Sequence, residues 1–586
     1  MRGSGILRHN GIGHVCTGQG NPSQWRTGFR SHRFVAQRNR RIQRTSIGGA
    51  YAPAPRERVG QRARRWMPGR RAAAALASPG NGSGASRGQG GRNPWARGRR
   101  LARSETPRSR GRREDNGGGL VSAVAVPESI WREYDVRGVA GSDLTPELAR
   151  LLGLAFGRLA TAYGAQQTLV GRDNRLSSPE LARGVVEGLR AAGLAVVDLG
   201  QVTTPVFYFA RIHLGIEPGI MVTASHNPGH ENGFKLALGR GTLVGGEITD
   251  LRDRVRALAA AGTVVDGQKG PAVQTMDVLP AYFADLERRV RLERPLHIVV
   301  DCGNGTASPI TPEVFRRLGC RVTELYCTSD PTFPNHHPDP VRPENLRELI
   351  ATVHRQGADI GIGIDGDGDR IGAVADDGRI LWGDELMMLF WRELLPRYPG
   401  SPVLVEVKCS QALWDDAAAH GGRPFFHRTG HSHIKATLYA RNLPFAGELS
   451  GHLFFHDEFP GYDDATYAAA RLLRLVSQGH QPLSALAAAL PRYPATPETR
   501  VGCPDAVKFL VVERLQRYFL ADHEVVTVDG ARVLFGDGWG LVRASNTQPV
   551  LVLRCEGTDA AALARIQAEM ERALQTCPEV SPVRWE

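Results

Sequence analysis

Gly219-Ile-Met-Val-Thr-Ala-Ser-His-Asn-Pro228 is an apolar run that ends in a stiff polar turn. Pro228 fixes its own φ, and Asn227, preceding a proline, is biased away from helix. The stretch predicts a strand that stops abruptly and holds the Ser225 hydroxyl at its end. Two readings stand at this point: an ordinary strand-to-loop turn, or a hydroxyl presented as a nucleophile or as the carrier of a covalent group. The same pattern, an apolar strand followed by a polar loop, recurs along the chain, and the recurrence decides the fold.

Upstream, Leu144-Thr-Pro-Glu starts a helix with Thr145 as N-cap and Pro146 in the first turn. The strand Gln167 to Val170 runs into Gly171-Arg-Asp173, and Ser178-Pro-Glu opens a helix with Leu181, Val185, Leu189 and Ala192 on one face. A strand (Ala195 to Leu199) and a helix after Thr204-Pro205 lead into the opening stretch. Downstream, Leu296 to Val300 ends in Asp301-Cys-Gly-Asn304, and Ala358 to Ile364 ends in Asp365-Gly-Asp-Gly-Asp-Arg370. A third round runs from Pro402-Val-Leu-Val-Glu-Val into Lys408-Cys-Ser410 and closes on Gly447-Glu-Leu-Ser-Gly-His452. Strands alternating with helices imply mostly parallel sheets with polar loops at the strand C-terminal ends, where open α/β sheets bind ligands. The C-terminal part differs: a helix (Asp505 to Phe519), a hairpin through Asp529-Gly530, two further strands and a helix (Asp559 to Leu574) read as α+β. The expected fold is three repeated α/β mixed-sheet domains (126–270, 271–379 and 380–491) and a C-terminal α+β domain (492–586), set around a central cleft.

Residues 1–125 stand apart. Residues 1–120 hold 26 Arg, no Lys and four acids, so this segment carries +22 of the net +13 and the remainder carries −9. With no sustained period and little apolar surface, it is expected to be disordered. It reads in three ways: a solvated tail, an Arg-rich nucleic-acid-binding arm with Trp25, Trp66 and Trp95 as stacking groups, or translated upstream DNA ahead of a natural start near Val121. Nucleic-acid binding rests on this segment alone. No run of about 18 apolar residues predicts a membrane helix, and the first residues have no apolar core for a signal peptide. The eight cysteines form no CxxC pair and read as reduced, in a cytoplasmic protein.

The loops carry the chemistry. Asp365-Gly-Asp-Gly-Asp369 places three carboxylates at alternate positions on a loop that glycines allow to curl. Three such groups cannot sit together ionised without a cation, which predicts a hard divalent metal such as Mg²⁺. An EF-hand would need glycine at the sixth position and glutamate at the twelfth; here these are Arg370 and Asp376. Asp301-Cys-Gly-Asn-Gly-Thr306 lacks the third glycine of a dinucleotide motif and reads as a structural turn. Glu448, Ser450 and His452 read either as a polar surface loop or as a set that hydrogen-bonds vicinal sugar hydroxyls. Arg543-Ala-Ser-Asn-Thr547 reads either as a hairpin turn or as a phosphate site, a guanidinium fork with the neutral donors Ser545, Asn546 and Thr547. Lys408, His431 and His433 add basic or polar groups. Tyr134, Arg137, Arg172 and Lys235 fall near the loops of the first domain, and Asn335-His-His-Pro-Asp339 reads as a plain loop.

Taken together, Thr223-Ala-Ser-His-Asn-Pro228, Asp365-Gly-Asp-Gly-Asp-Arg370, Gly447-Glu-Leu-Ser-Gly-His452 and Arg543-Ala-Ser-Asn-Thr547 resemble the α-D-phosphohexomutase superfamily, in its order, from about Ile130 to the C-terminus. Tyr134-Asp-Val-Arg-Gly138, Asn335-His-His-Pro-Asp-Pro340, Thr429-Gly-His-Ser432 and Gly538-Trp-Gly-Leu-Val-Arg543 place the resemblance with its bacterial bifunctional phosphomannomutase/phosphoglucomutase group. The resemblance implies reversible phosphoryl transfer between the 1- and 6-positions of mannose and glucose phosphates, through a phosphoserine at Ser225 and a hexose 1,6-bisphosphate. It implies one Mg²⁺ held by Ser225, Asp365, Asp367 and Asp369, with glucose 1,6-bisphosphate as intermediate and activator. Arg370, Lys235, Arg137 and His431 would surround the reacting phosphate. Tyr134, Lys408, Glu448, Ser450 and His452 would contact the sugar phosphate, and Arg543, Ser545, Asn546 and Thr547 its far phosphate. Phosphoglucosamine mutase is the alternative within the superfamily. The expected partners are hexose phosphates and no membrane, in a monomer or weak dimer, with a hinge for the fourth domain near Pro491–Pro497.

Overall fold

The computed structural model describes residues 124–267, 270–546 and 548–585. The N-terminal extension up to residue 123, the start near Val121 and Thr547 lie outside the described residues.

The first sheet comprises β1 (Val136–Val139), β2 (Gln167–Arg172), β3 (Ala195–Gln201), β4 (Gly219–Val222), β5 (Glu231–Leu238), β6 (Gly241–Thr242) and β7 (Val273–Thr275). Its order is β1-β5-β4-β2-β3-β7, with β6 on β5; β2 pairs in parallel with β3 and β4, whereas β5 is antiparallel to β4 and β1. The local signals act as their chemistry dictates. Thr145 Oγ1 accepts from Leu148 N at 3.2 Å to cap the helix Pro146–Ala162, and Thr203 caps the helix Thr204–Leu214. The helices Pro146–Ala162 and Ser178–Ala191 approach until a Cβ on Gly188 would lie 2.1 Å from Arg150 O, so only glycine fits there.

The second sheet comprises β8 (His297–Asp301), β9 (Arg321–Leu325), β10 (Ile360–Ile364), β11 (Ile371–Ala375) and β12 (Ile380–Leu381), in the order β12-β11-β10-β8-β9. Every residue of β10 is buried, as a central strand covered on both faces requires; it pairs in parallel with β8. β11 returns antiparallel to it through the carboxylate loop. The third region carries its strands as two pairs, β13 (Pro402–Glu406) parallel to β14 (Arg423–His427), and β15 (Phe445–Gly447) antiparallel to β16 (Leu453–Phe455). The fourth is an antiparallel sheet of β17 (Thr499–Gly502), β18 (Glu524–Val526), β19 (Ala531–Leu534), β20 (Gly538–Ala544) and β21 (Val550–Gly557), ordered β17-β21-β20-β19-β18.

One apolar core runs through the first three regions, from Leu169 and Phe207 through Ile362 and Trp391 to Phe445 and Leu490. The fourth sheet has its own core, and Val407 packs with Trp539 and Leu541 where it meets the third region. Polar loops from different sheets are therefore mounted on one packed body. Cys302, Cys320, Cys327, Cys409, Cys503, Cys555 and Cys577 are free thiols. Among the described residues no helix is long and apolar enough to cross a membrane.

Candidate active site

Ser225 follows β4 with φ 55°, the left-handed region that a non-glycine residue enters only at a cost. Thr223 Oγ1 accepts from Ser225 N at 2.9 Å and helps hold the turn. The serine is 2 % exposed, and its Oγ donates to Asp365 Oδ2 at 2.9 Å, across from the first sheet to the second. His226 Nδ1 lies 3.2 Å from the same Oγ, with its imidazole pushed well below the ordinary range by burial and by Arg370 and Arg137. Ser225 is thus no ordinary surface turn; it meets the carboxylate loop directly.

That loop closes on itself. Asp365 Oδ1 accepts from the N–H groups of Gly368, Asp369 and Arg370 at 3.0, 2.9 and 3.1 Å. Gly368, at φ 84°, supplies the bend. Asp365, Asp367 and Asp369 are fully buried and offer carboxylate oxygens within 4.8 Å of one another. Lys235 Nζ, from β5, donates to Asp367 Oδ2 at 2.8 Å and Asp369 Oδ2 at 2.5 Å. Thr204 Oγ1 donates to Asp367 Oδ2 at 2.6 Å. One lysine does not balance three carboxylates. Burial and the neighbouring Asp369 and Asp367 push the Asp365 carboxyl well up, and Asp367 Oδ1 and Asp369 Oδ1 are buried without a partner. These orphaned hard oxygens fit a divalent cation.

A second group, Asp369, His452 and Asp463, also has ligand-like spacing. It already has cations: Lys435 Nζ donates to Asp463 Oδ1 at 2.8 Å, and Arg370 Nε donates to His452 Nε2 at 3.0 Å. With Nε2 accepting, the His452 proton lies on Nδ1, 3.2 Å from Asp463 Oδ2. His431, the first residue of the helix His431–Arg441, stacks on His452 with ring centroids 5.2 Å apart. It is 6 % exposed, not a surface histidine, and burial followed by Lys435 holds it well below the ordinary imidazole range. Tyr134 meets His431 edge-on at 4.8 Å, with its phenol pushed up to about 12 by burial and then by Asp135. Arg137 Nε pairs with Asp135 at 2.6 Å, and its Nη1 donates to Asn227 Oδ1 at 2.9 Å in the Ser225 turn.

The loop between β15 and β16 is not a solvated surface loop: Glu448 and His452 are buried, with Ser450 half-buried. Glu448 accepts from Gly430 N and Ser450 Oγ, each at 2.8 Å. Lys408, after β13, pairs through Nζ with Glu498 Oε2 at 2.9 Å. Arg543 sits on β20 with Nε donating to Asp529 Oδ2 at 2.9 Å. Asp529 also accepts from Thr429 N at 3.0 Å, which ties the fourth region to the turn before His431. Arg543 Nη2 is buried and unpartnered, an orphan cationic donor that fits an anion. Ser545 Oγ accepts from Gln548 N at 3.1 Å, and Asn546 is half-buried beside it.

Arg172 remains within β2. His336 Nε2 lies 3.0 Å from Asp301 Oδ2 at the end of β8, His337 Nε2 donates to His226 O, and Pro338 O accepts from Gly366 N at 3.2 Å, so 335–339 is a loop wedged against both the Ser225 turn and the carboxylate loop. Residues 301–306 form the expected structural turn, where Asn174 Nδ2 donates to Asn304 O at 2.8 Å. Sequence reading missed Arg175, Thr204, Asp463, Glu498 and Asp529. Arg175 lies in the polar loop between β2 and the helix Ser178–Ala191, but nothing local marks it out from its neighbours.

Four family models match in order. Phosphoglucomutase/phosphomannomutase alpha/beta/alpha domains I, II and III match residues 128–259, 280–378 and 382–493, and the C-terminal domain matches 498–573. The chain is 42 % identical to a phosphomannomutase/phosphoglucomutase of Pseudomonas aeruginosa over 464 residues, 79 % of this chain and 99 % of the relative. It is 34 % identical to a probable phosphoglucosamine mutase of Methanopyrus kandleri, over 76 % of this chain and 97 % of that one. A crystal structure of a phosphoglucomutase/phosphomannomutase family protein from Burkholderia thailandensis is similar at TM-score 0.71 and 41 % identity, covering 79 % of this chain and all of the other.

Proposed function

Because the chain belongs to the phosphoglucomutase/phosphomannomutase family, we propose that it moves a phosphoryl group reversibly between the 1- and 6-positions of mannose and glucose phosphates, with Ser225 as carrier. The observation that carries this reading is the 2.9 Å contact of Ser225 Oγ with Asp365 Oδ2, a strained hydroxyl against a carboxylate triplet from another sheet. The 1,6-bisphosphate of the hexose being turned over is the intermediate, and glucose 1,6-bisphosphate is the activator that loads Ser225.

Asp365, Asp367, Asp369 and Ser225 would hold one metal ion, and their hard oxygens favour Mg²⁺. Such an ion supplies charge neutralisation to a reacting phosphate. In the forward half-reaction the P–O bond to Ser225 breaks as a P–O bond to the sugar hydroxyl forms. Lys235, already donating to two carboxylates, acts with Arg370 and Arg137 as a fixed cation for that phosphate. His431, held neutral by burial and Lys435, is the better of the two candidates, with Lys235, to accept the hydroxyl proton. The bisphosphate turns over, and the other phosphate returns to Ser225.

Arg543, with Ser545, Asn546 and Thr547, binds the non-reacting phosphate in either orientation. Glu448, Ser450 and His452 grip sugar hydroxyls; if these are O3 and O4, the C2 centre goes unread and both sugars are accepted. Tyr134 and Lys408 complete the wall. In this reading the domains span 126–270, 271–379, 380–491 and 492–586, and the enzyme works in the cytoplasm as a monomer or weak dimer. Phosphoglucosamine mutase is less well supported, since that relative is 34 % identical against 42 % for the phosphomannomutase/phosphoglucomutase.

The test is a substrate panel of mannose 1-phosphate, glucose 1-phosphate and glucosamine 6-phosphate with trace glucose 1,6-bisphosphate, beside intact mass with and without phosphatase. Turnover of the first two and a phosphatase-labile phosphoryl group are expected, both absent in Ser225→Ala. Full activity in Ser225→Ala would refute the carrier. Glucosamine 6-phosphate turning over faster than mannose 1-phosphate would favour the alternative.

A further inference from the structure

The loop that carries Ser225 turns its back on a buried cation. Arg175, 1 % exposed, donates through Nη2 to Ser225 O at 2.7 Å and Asn227 O at 2.6 Å. Its Nη1 donates to Pro228 O at 2.6 Å and Glu231 O at 3.0 Å. The carbonyl left over in this run, His226 O, accepts from His337 Nε2. All four carbonyls from Ser225 to Pro228 are therefore engaged by side chains from outside the loop.

Arg175 is itself fixed. Its Nε pairs with Asp173 Oδ2 at 3.1 Å, its backbone N–H donates to Asp173 Oδ1 at 3.0 Å, and its guanidinium faces the Phe333 ring at 5.7 Å. The adjacent Asn174 N donates to Thr306 Oγ1 at 3.0 Å, which docks the same turn on the second region. Among the described residues, the only carboxylate hydrogen-bonded to the guanidinium is Asp173; its other acceptors are backbone carbonyls of the Ser225 loop. A cation this buried is costly without such partners, so the loop and the arginine hold each other in place.

This arrangement has a direction. A trans peptide places its N–H opposite its C=O. With Ser225 O turned to Arg175, the His226 N–H faces away from it, and among the described residues that N–H has no hydrogen-bond partner. The Ser225 N–H is already given to Thr223 Oγ1, so the His226 N–H is the backbone donor beside the serine left open to an oxyanion. The Ser225 hydroxyl meanwhile points to Asp365.

We infer that Arg175 is a positioning residue for phosphoryl transfer: it clamps the carbonyls of the Ser225 loop, holds Ser225 in its left-handed conformation and leaves the His226 N–H as a donor for the phosphate the serine carries. The inference rests on Ser225 being the phosphoryl carrier. A lysine keeps the charge but cannot bridge four carbonyls while paired with Asp173.

The experiment compares wild type with Arg175→Lys in three readouts: kcat and KM for glucose 1-phosphate, the half-life of phospho-Ser225 by intact mass, and Tm. The expected result is kcat at least tenfold lower, KM within twofold, and a phosphoenzyme half-life changed severalfold. Unchanged kcat and half-life would overturn the inference, as would KM and kcat worsening equally alongside a large fall in Tm, the mark of general loosening. If Arg175→Lys does not fold, Asp173→Asn keeps the guanidinium and loosens its anchor. A severalfold fall in kcat at unchanged KM is then expected, and unchanged kcat overturns the inference. Wild-type protein that carries no phosphoserine overturns the functional reading first and this inference with it.

Discussion

Replacing Lys235 by methionine is expected to destabilise the metal-free protein and to make its stability depend steeply on a divalent cation. The ammonium is 3 % exposed and sits 2.8 Å from Asp367 Oδ2 and 2.5 Å from Asp369 Oδ2, both on fully buried carboxylates. Methionine fills the volume without the charge. Removing one partner of a buried pair costs about 3–5 kcal/mol, because the other charge is left uncompensated. At about 2.1 cal/mol/K of unfolding entropy per residue, a body of several hundred residues shifts by about 1 °C per kcal/mol, and the melting transition falls by the order of 5 °C. A bound ion returns positive charge to the same oxygens and stabilises by about 2.7 kcal/mol at a hundredfold excess over Kd. Lys235 competes with that ion in the wild type, so the variant gains more from it. Scanning calorimetry of both proteins, in EDTA and in excess Mg²⁺, measures the four transitions. A variant that melts with the wild type in EDTA, or that gains no more from Mg²⁺, would refute the view that Lys235 and a metal share one charge deficit.

Three other outcomes follow from the same geometry. Arg543→Lys gives up the buried, unpartnered Nη2; the loss of one charged hydrogen bond, about 1.5–3 kcal/mol, should raise KM roughly ten- to a hundredfold with a smaller change in kcat, and an unchanged KM would remove Arg543 from the phosphate site. Burial pushes the Asp464 carboxyl up to about 7, beyond the opposing bonds from Tyr467 N and Tyr282. A folded-state value above the unfolded one adds stability at low pH that is lost as pH rises through about 7. Unfolding free energy should therefore fall by a few kcal/mol between about pH 4 and 7, and Asp464→Asn should flatten that slope. The linker Pro491–Pro497 is expected to hinge the fourth region, with Glu498, just beyond it, paired to Lys408 at 2.9 Å. Scattering profiles of Glu498→Gln and wild type, with and without glucose 1,6-bisphosphate, check this, and identical profiles in all four samples would count against a hinge.

How much of this was legible depended on sequence distance. Thr145, Pro146 and Gly368 act within a few residues of themselves, and caps, first turns and left-handed bends follow from residue type alone. The carboxylate loop was legible for the same reason: its charges lie at alternate positions of one short segment. Arg175, Thr204, Asp463 and Asp529 were not. Thr204 meets Asp367 across 163 residues, and Asp529 reaches Thr429 across 100. Each is a common polar residue in an unremarkable local context, and burial beside another sheet is what gives it a role. The readings left open were decided the same way, since Glu448, His452 and His431 are polar residues that packing places inside.

The sequence by itself determined the alternation of strands and helices, the polar loops at strand ends, the excess of carboxylate in one of them and the family to which the motifs point. These rest on local propensity, periodicity and charge spacing. The tertiary structure alone decided that Ser225 faces Asp365 and not solvent, that Lys235 answers two of the three aspartates, and that Arg175 stands behind the serine. Those are long-range electrostatic pairings in a buried, low-dielectric site, whose strength depends on distance and burial. Neither quantity can be read from a chain until its sheets have been packed together.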